Sequence, residues 1–246
     1  MRPIKELNHI DFLTFTAMIL FEDKYIIAVN KPNNILVHHS AMANNKMDEE
    51  NLIQLLKRKY GKKYYPIHRL DRKTSGIILF AKERSMVTHF QNLFITNQIQ
   101  KTYYGIVRGF APIFGVIDSD VKGRDADIYK TALTNYKTIQ TKEIDIPVVP
   151  YNTSRYSFIE LKPKTGRLHQ LRIHLNKINH PLIGDPKYGD RFHNRMFAKE
   201  FNCGKLFLHA FSVAFIHPFT EENILITATF PEDWVKVSEL FNWSLI

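Results

Sequence analysis

Hydrophobic positions along this chain fall into short runs more often than into long helical stripes. Residues 25–30 form a β-rich run that stops at Lys31-Pro32-Asn33-Asn34, a turn signal, and 35–37 resume strand character. Leu52, Ile53, Leu55 and Leu56 lie at near-helical spacing within 51–60. Residues 77–81 are a short apolar run that reads as a buried strand, and within 85–97 Met86, Val87, Phe90, Leu93 and Phe94 share one helical face. Further strands are predicted at 103–108, 131–139 and 156–161. Thr165-Gly166 then opens a predicted helix on which Leu168, Leu171, Leu175 and Ile178 make a stripe at three- and four-residue steps. Strands at 206–216 and 223–230 read as a hairpin around His217-Pro218-Phe219-Thr220, and 232–241 as a closing helix. Strands outnumber helices and do not alternate strictly with them. That predicts an α+β fold on a largely antiparallel sheet rather than a doubly wound parallel one.

Composition narrows the class. The 246 residues are 44% hydrophobic and 13% aromatic, enough for one large domain or two small ones and incompatible with global disorder. No apolar run approaches the roughly 20 residues that a membrane-spanning helix needs, and the first residues lack a secretory pattern. Cys203 stands alone and forms no internal disulfide, which suits a reducing cytoplasm. Lys plus Arg number 34 against 24 for Asp plus Glu, a net charge of +10. Such an excess fits phosphate-backbone binding, and it also fits plain solubility.

Several chemistries find no residues. There is no phosphate-cradling Gly-rich loop, no Cys pair for structural zinc, no metalloprotease spacing among His68, His169, His174 and His180, and no Gly-x-Ser-x-Gly elbow. Three segments remain. His68-Arg69-Leu70-Asp71-Arg72-Lys73-Thr74-Ser75-Gly76 sets one carboxylate among three cations. A nearby opposite charge favours the ionised form of a carboxylate, which can then act as nucleophile or base, although a surface turn with a local salt bridge fits the same pattern. In the second segment, 162–174, Arg172 follows Leu168 by four residues and precedes Leu175 by three. It therefore borders the apolar stripe, where a guanidinium needs a fixed acidic partner. Arg167 and Lys164 point elsewhere and look like phosphate contacts at the helix start. The third is the strand beginning Lys101-Thr102-Tyr103-Tyr104, whose two tyrosines face opposite sides, so that one ring can offer a stacking surface to a base.

Together these segments resemble the RluA-type pseudouridine synthase family. Its His-Arg-Leu-Asp-x-x-Thr-Ser-Gly signature is matched by residues 68–76, its Lys-x-Tyr strand by 101–103, and its Thr-Gly-Arg-x-His-Gln-x-Arg-x-His helix by 165–174. The run His180-Pro181-Leu182-Ile183-Gly184-Asp185-Pro186-Lys187-Tyr188-Gly189 follows in the family's order, and the resemblance spans roughly 18–235.

The resemblance implies a pseudouridine synthase fold, a long mixed but mainly antiparallel sheet with flanking helices and a central cleft. It implies a catalytic domain over 18–246, with 1–17 a short N-terminal segment in place of the small S4-type RNA-binding module that many relatives carry. It also implies isomerisation of uridine to pseudouridine in RNA without cofactor or metal. Asp71 falls on the family's catalytic aspartate, as nucleophile or as the base of a glycal route. Tyr103 falls on the active-site tyrosine and Arg172 on the basic residue paired with the aspartate. Arg69 would fill the gap left by a flipped-out nucleotide, and Leu208 would give a hydrophobic floor for the base.

A finer resemblance, in 147–161, 189–195 and His209-Ala210 with 217–220, points to the subfamily that modifies uridine 65 of tRNA, in the acceptor and T-stem region. The expected partner is therefore tRNA, with 23S-type ribosomal RNA as the alternative, and the loops 38–50 and 110–130 are expected to help choose it. A cytoplasmic monomer without membrane attachment is expected. A non-catalytic RNA-binding or RNA-folding protein is the alternative of another class, and a hydrolase using Asp71 and His68 comes third.

Overall fold

The computed structural model describes residues 18–38, 50–122 and 128–246. Ten strands build one sheet. Eight of them run in the order β1 (Ile19–Glu22), β2 (Ile26–Lys31), β4 (Ser75–Ala81), β11 (Leu208–Ile216), β5 (Gln100–Arg108), β10 (Ser154–Pro163), β9 (Leu133–Ile144) and β6 (Phe114–Asp118). The short β3 (Tyr65–Pro66) adds to β4, and β12 (Asn223–Thr227) adds to β11. The pairings are antiparallel except where β11 runs parallel to β4, so the predicted α+β class and mainly antiparallel sheet are what the chain forms. A separate ribbon joins β7 (Val121–Lys122) to β8 (Tyr129–Lys130).

β2 and β4 carry unbroken apolar runs because both faces of that half of the sheet are covered. Helix α1 (Leu52–Tyr60) packs Leu52, Leu55 and Leu56 on one side, and α2 (Val87–Ile95), entered through a 3-10 turn at Arg84–Met86, packs Phe90 and Leu93 on the other. In the second half, α3 (Gln170–Lys177) buries Leu171 and Leu175 with Ile159, Leu161 and Leu208. Helices α4 (Arg191–Glu200) and α5 (Glu232–Phe241) close an aromatic core around Tyr156, Phe158 and Phe197. None of the helices among the described residues is long and apolar enough to cross a membrane.

Local sequence explains the helix ends. Asn51 and Gln54 cap α1 reciprocally, and Gly61 ends it in the left-handed conformation. The Asp190 carboxylate accepts from the Phe192 and His193 amides to start α4.

Three sequence expectations are corrected. Residues 35–37 are not a strand: the Leu36 and Val37 carbonyls accept from the Leu52 and Ile53 amides at the start of α1, and Lys31 takes the Ile35 carbonyl. The helix expected from Thr165-Gly166 begins at Gln170, because His169 is left-handed at φ 54° and breaks the register. The stretch 110–130 is not all loop, since it supplies β6, β7 and Tyr129–Lys130, while 39–49 and 123–127 of the two expected loops lie outside the described residues.

Candidate active site

A cleft of about 630 Å³ opens between the C-terminal end of α2 and the loop leading into α3. Asp71, Tyr103, Arg172, Arg69, Leu208, Arg167 and Lys164 all line it, so every site residue expected from sequence meets in one place.

Asp71 lies on the loop from β3 to β4, and both ends of that loop are tied down. The Ile67 amide donates to the Leu79 carbonyl at 3.0 Å, and His68 Nε2 accepts from the Leu79 amide at 3.0 Å. The His68 ring stacks on Phe94 at 4.8 Å, and burial pushes its pKa down to about 4, so it stays neutral. Beyond Asp71, buried Lys31 donates from Nζ to the Arg72 carbonyl at 2.9 Å, the Pro32 carbonyl at 2.9 Å and the Ile35 carbonyl at 3.1 Å. Three carbonyls take the three protons of an ammonium. Burial lowers the Lys31 pKa to about 7, and the neighbouring Asp71 works against that fall. Asn33 Nδ2 holds the Lys73 carbonyl.

The cation that meets Asp71 is remote in sequence. Arg172 Nη1 donates to Asp71 Oδ2 at 3.1 Å, while Arg72 turns away and gives its Nε to the Asn34 carbonyl and Oδ1, both at 3.1 Å. Asp71 thus meets the guanidinium that the resemblance paired with it, in a contact that spans loop and helix. Arg172 is only 6% exposed and Asp185 1%. Their contact is bidentate, Nε to Oδ2 at 2.7 Å and Nη2 to Oδ1 at 2.8 Å. Burial opposes the guanidinium charge, but Asp185 and then Asp71 outweigh it and hold the Arg172 pKa above its ordinary value. Burial likewise opposes the Asp185 charge, and Arg172 with the Lys187 and Tyr188 amides outweighs it and holds that pKa low.

Tyr103 points into the cleft from β5, opposite Leu161 on β10 and Ala210 on β11. Burial, and then Asp71, raise its phenol pKa, so it is a neutral ring. Tyr104 faces the other way into Phe158, Phe211 and Phe230. Leu208 is buried on β11. Lys164 and Arg167 are exposed on the loop before α3, which buried Gln170 organises: its Oε1 accepts from the Arg167 amide at 2.9 Å and from Thr165 Oγ1 at 2.7 Å. They therefore flank the cleft from a loop rather than crown a helix terminus. Asp185, Lys31, His169 and Tyr188 were not picked out from sequence. The need of Arg172 for a fixed acidic partner was the available signal for Asp185. Among the described residues no group of three His, Cys, Asp or Glu is placed to hold a metal ion.

The RNA pseudouridylate synthase family matches residues 25–177, and the chain belongs to that family. It is 37% identical over 235 residues to tRNA pseudouridine synthase C of Vibrio parahaemolyticus, covering 92% of this chain and 95% of that protein. It is 38% identical over 240 residues to tRNA pseudouridine synthase C of Pasteurella multocida, covering 94% and 98%. Among solved structures, Human RNA Pseudouridylate Synthase Domain Containing 4 superposes with a TM-score of 0.71 at 24% identity, covering 95% of this chain and 96% of that one, which shows the shared fold.

Proposed function

We propose that this RNA pseudouridine synthase acts on tRNA, with the Asp71 carboxylate as the group that starts the reaction. The observation that carries the reading is Asp71 held in the cleft through one oxygen by a buried, doubly anchored Arg172. The isomerisation breaks the bond from ribose C1′ to N1 of uracil and forms one from C1′ to C5, while C5 gives up a proton and N1 gains one. Atoms and electrons balance within the substrate. Asp71 either adds to C1′ or removes the C2′ proton, and both routes need its carboxylate beside the ribose. The Tyr103 ring supplies a stacking face and Leu208 an apolar floor for the turning base. Arg69 fills the space of the flipped nucleotide, and Lys164 and Arg167 meet backbone phosphates.

The names of the relatives support tRNA over ribosomal RNA. The resemblance in 147–161 and 189–195 supports uridine 65 as the address. The reading further holds that the enzyme is a monomer, to be checked by sedimentation, and cytoplasmic, with which the single Cys203 accords.

The test is tritium release from tRNA carrying 5-tritiated uridine, followed by chemical mapping of pseudouridine. Wild-type enzyme should release tritium and modify position 65. Asp71→Asn should bind tRNA and release none. Normal release by that variant would sink the catalytic assignment, and modification confined to ribosomal RNA would sink the substrate.

A further inference from the structure

The two oxygens of Asp71 are treated differently. Oδ2 takes the Arg172 bond and lies 3.7 Å from His169 Nε2, while Oδ1 has no hydrogen-bond partner among the described residues. His169 occupies the left-handed region at φ 54°, immediately before α3, a conformation uncommon outside glycine though more open to histidine than to most residues. That backbone turn places the ring between Asp71 and Tyr188. Its Nδ1 is 3.1 Å from the Tyr188 hydroxyl, and the two rings meet edge to face at 5.6 Å. Tyr188 is itself fixed: its amide donates to Asp185 Oδ1 at 3.1 Å, and its ring lies 5.2 Å from the Arg172 guanidinium.

The chemistry proposed above uses neither His169 nor Tyr188. Burial, the largest influence, lowers the His169 pKa; Asp71 and Asp185 work against it, and Arg172 and Lys187 work with it. A neutral ring carries one N–H. With that proton on Nδ1, the Nε2 lone pair would face a carboxylate oxygen. With the Tyr188 hydroxyl donating to Nδ1, the proton sits on Nε2 and faces Asp71 Oδ2 instead.

We infer that His169, locked in the Nε2–H tautomer by the Tyr188 hydroxyl, is a positioning residue that shares Asp71 Oδ2 with Arg172 and leaves Oδ1 as the oxygen presented to the ribose. This rests on Asp71 being the reacting group. At 3.7 Å the contact is longer than a hydrogen bond, and such contacts shorten when a substrate closes the site. Tyr188 then does for His169 what Asp185 does for Arg172, holding a neighbour of the reacting group in one orientation.

Nitrogen NMR of the His169 ring reads the tautomer without any activity. The wild-type ring should carry its proton on Nε2, and Tyr188→Phe should give a mixture. In single-turnover kinetics His169→Asn should be slowed about tenfold with little change in tRNA affinity, since asparagine accepts the left-handed backbone but is too short to reach Asp71. His169→Gln, with an amide N–H at similar reach, should recover most of the rate. Adding Tyr188→Phe to His169→Asn should cost nothing more, because the hydroxyl acts only through the ring. A ring protonated on Nδ1 would overturn the inference, as would wild-type kinetics in His169→Asn or additive losses in the double variant. Asp71→Asn separates the two readings: activity retained there removes the role of Asp71, whereas an inactive Asp71→Asn beside an unaffected His169→Asn removes only that of His169.

Discussion

Replacing Asp185 with alanine deletes the acceptor of four hydrogen bonds at once: Arg172 Nε at 2.7 Å, Arg172 Nη2 at 2.8 Å, the Lys187 amide at 2.9 Å and the Tyr188 amide at 3.1 Å. Water cannot take over freely, because Asp185 is 1% exposed and Arg172 6%. Removing one partner of a buried ion pair costs roughly 3–5 kcal/mol, mostly for the charge left behind. The orphaned amides add to this, and local relaxation takes some of it back. The expected loss is about 4 kcal/mol, a large share of the roughly 5–15 kcal/mol by which a domain is stable. Asp185→Asn keeps an oxygen for the two amides and loses only the charge and half of the fork, so about 2–3 kcal/mol is expected. Arg172 is then released in the alanine variant and held by half of its fork in the asparagine one, so kcat should fall about a hundredfold in the first and less in the second, at a temperature where both proteins are folded. Urea unfolding gives the stability and tritium release gives the rate. An alanine variant within about 1 kcal/mol of wild type, with unchanged kcat, would refute the claim that Asp185 orients Arg172.

Gly76→Ala should leave little soluble protein or lower stability by about 4 kcal/mol or more, because a β-carbon there would stand 2.2 Å from the Ala210 carbonyl oxygen at φ 103°; a wild-type melting temperature would contradict this. Affinity for tRNA should fall steeply with salt, and Lys164→Gln with Arg167→Gln should reduce the slope by about two contacts; an unchanged slope would free those residues from phosphate contact. Stability should decline as pH drops from about 6.5 towards 5, since burial pushes the folded pKa of His68 to about 4 and of His209 to about 3 while unfolded histidine takes its proton near 6.5. The unfolded chain binds more protons across that window, by up to about 1.4 kcal/mol per pH unit for each histidine, and a flat urea midpoint would refute it.

The parts of the fold legible in sequence are those where local pattern and tertiary environment agree. β2 read as a strand and β4 as a buried one because their apolar side chains are covered on both faces, and Trp234, Val237 and Phe241 of α5 repeat at helical steps. Helix α4 escaped notice since only His193, Met196 and Phe197 are buried, while Phe192 points outward at 46% exposed. β6 is an edge strand with Phe114 and Val116 exposed, so it shows no alternation of buried and polar positions. Residues 35–37 have strand-like side chains, but their carbonyls are spent on α1 and Lys31, a use that no residue pattern displays.

The site divides along a similar line. Asp71, Tyr103 and Arg172 were legible as chemistry through the signatures at 68–76, 101–103 and 165–174, since each local pattern by itself also fits an ordinary surface turn, sheet strand or basic helix. The resemblance also paired Arg172 with Asp71; local pattern does not show that contact, because a loop and a helix start from opposite halves of the sheet bring the two together. Asp185 hides better still: followed by Pro186, it looks like a turn residue, and it is one, accepting from the Lys187 and Tyr188 amides. The same carboxylate grips Arg172 with both oxygens. One side chain therefore shapes the turn that carries Tyr188 and fixes the guanidinium that holds Asp71. A change at 185 thus has two routes to Asp71, one directly through Arg172 and one through Tyr188 and the His169 ring it touches.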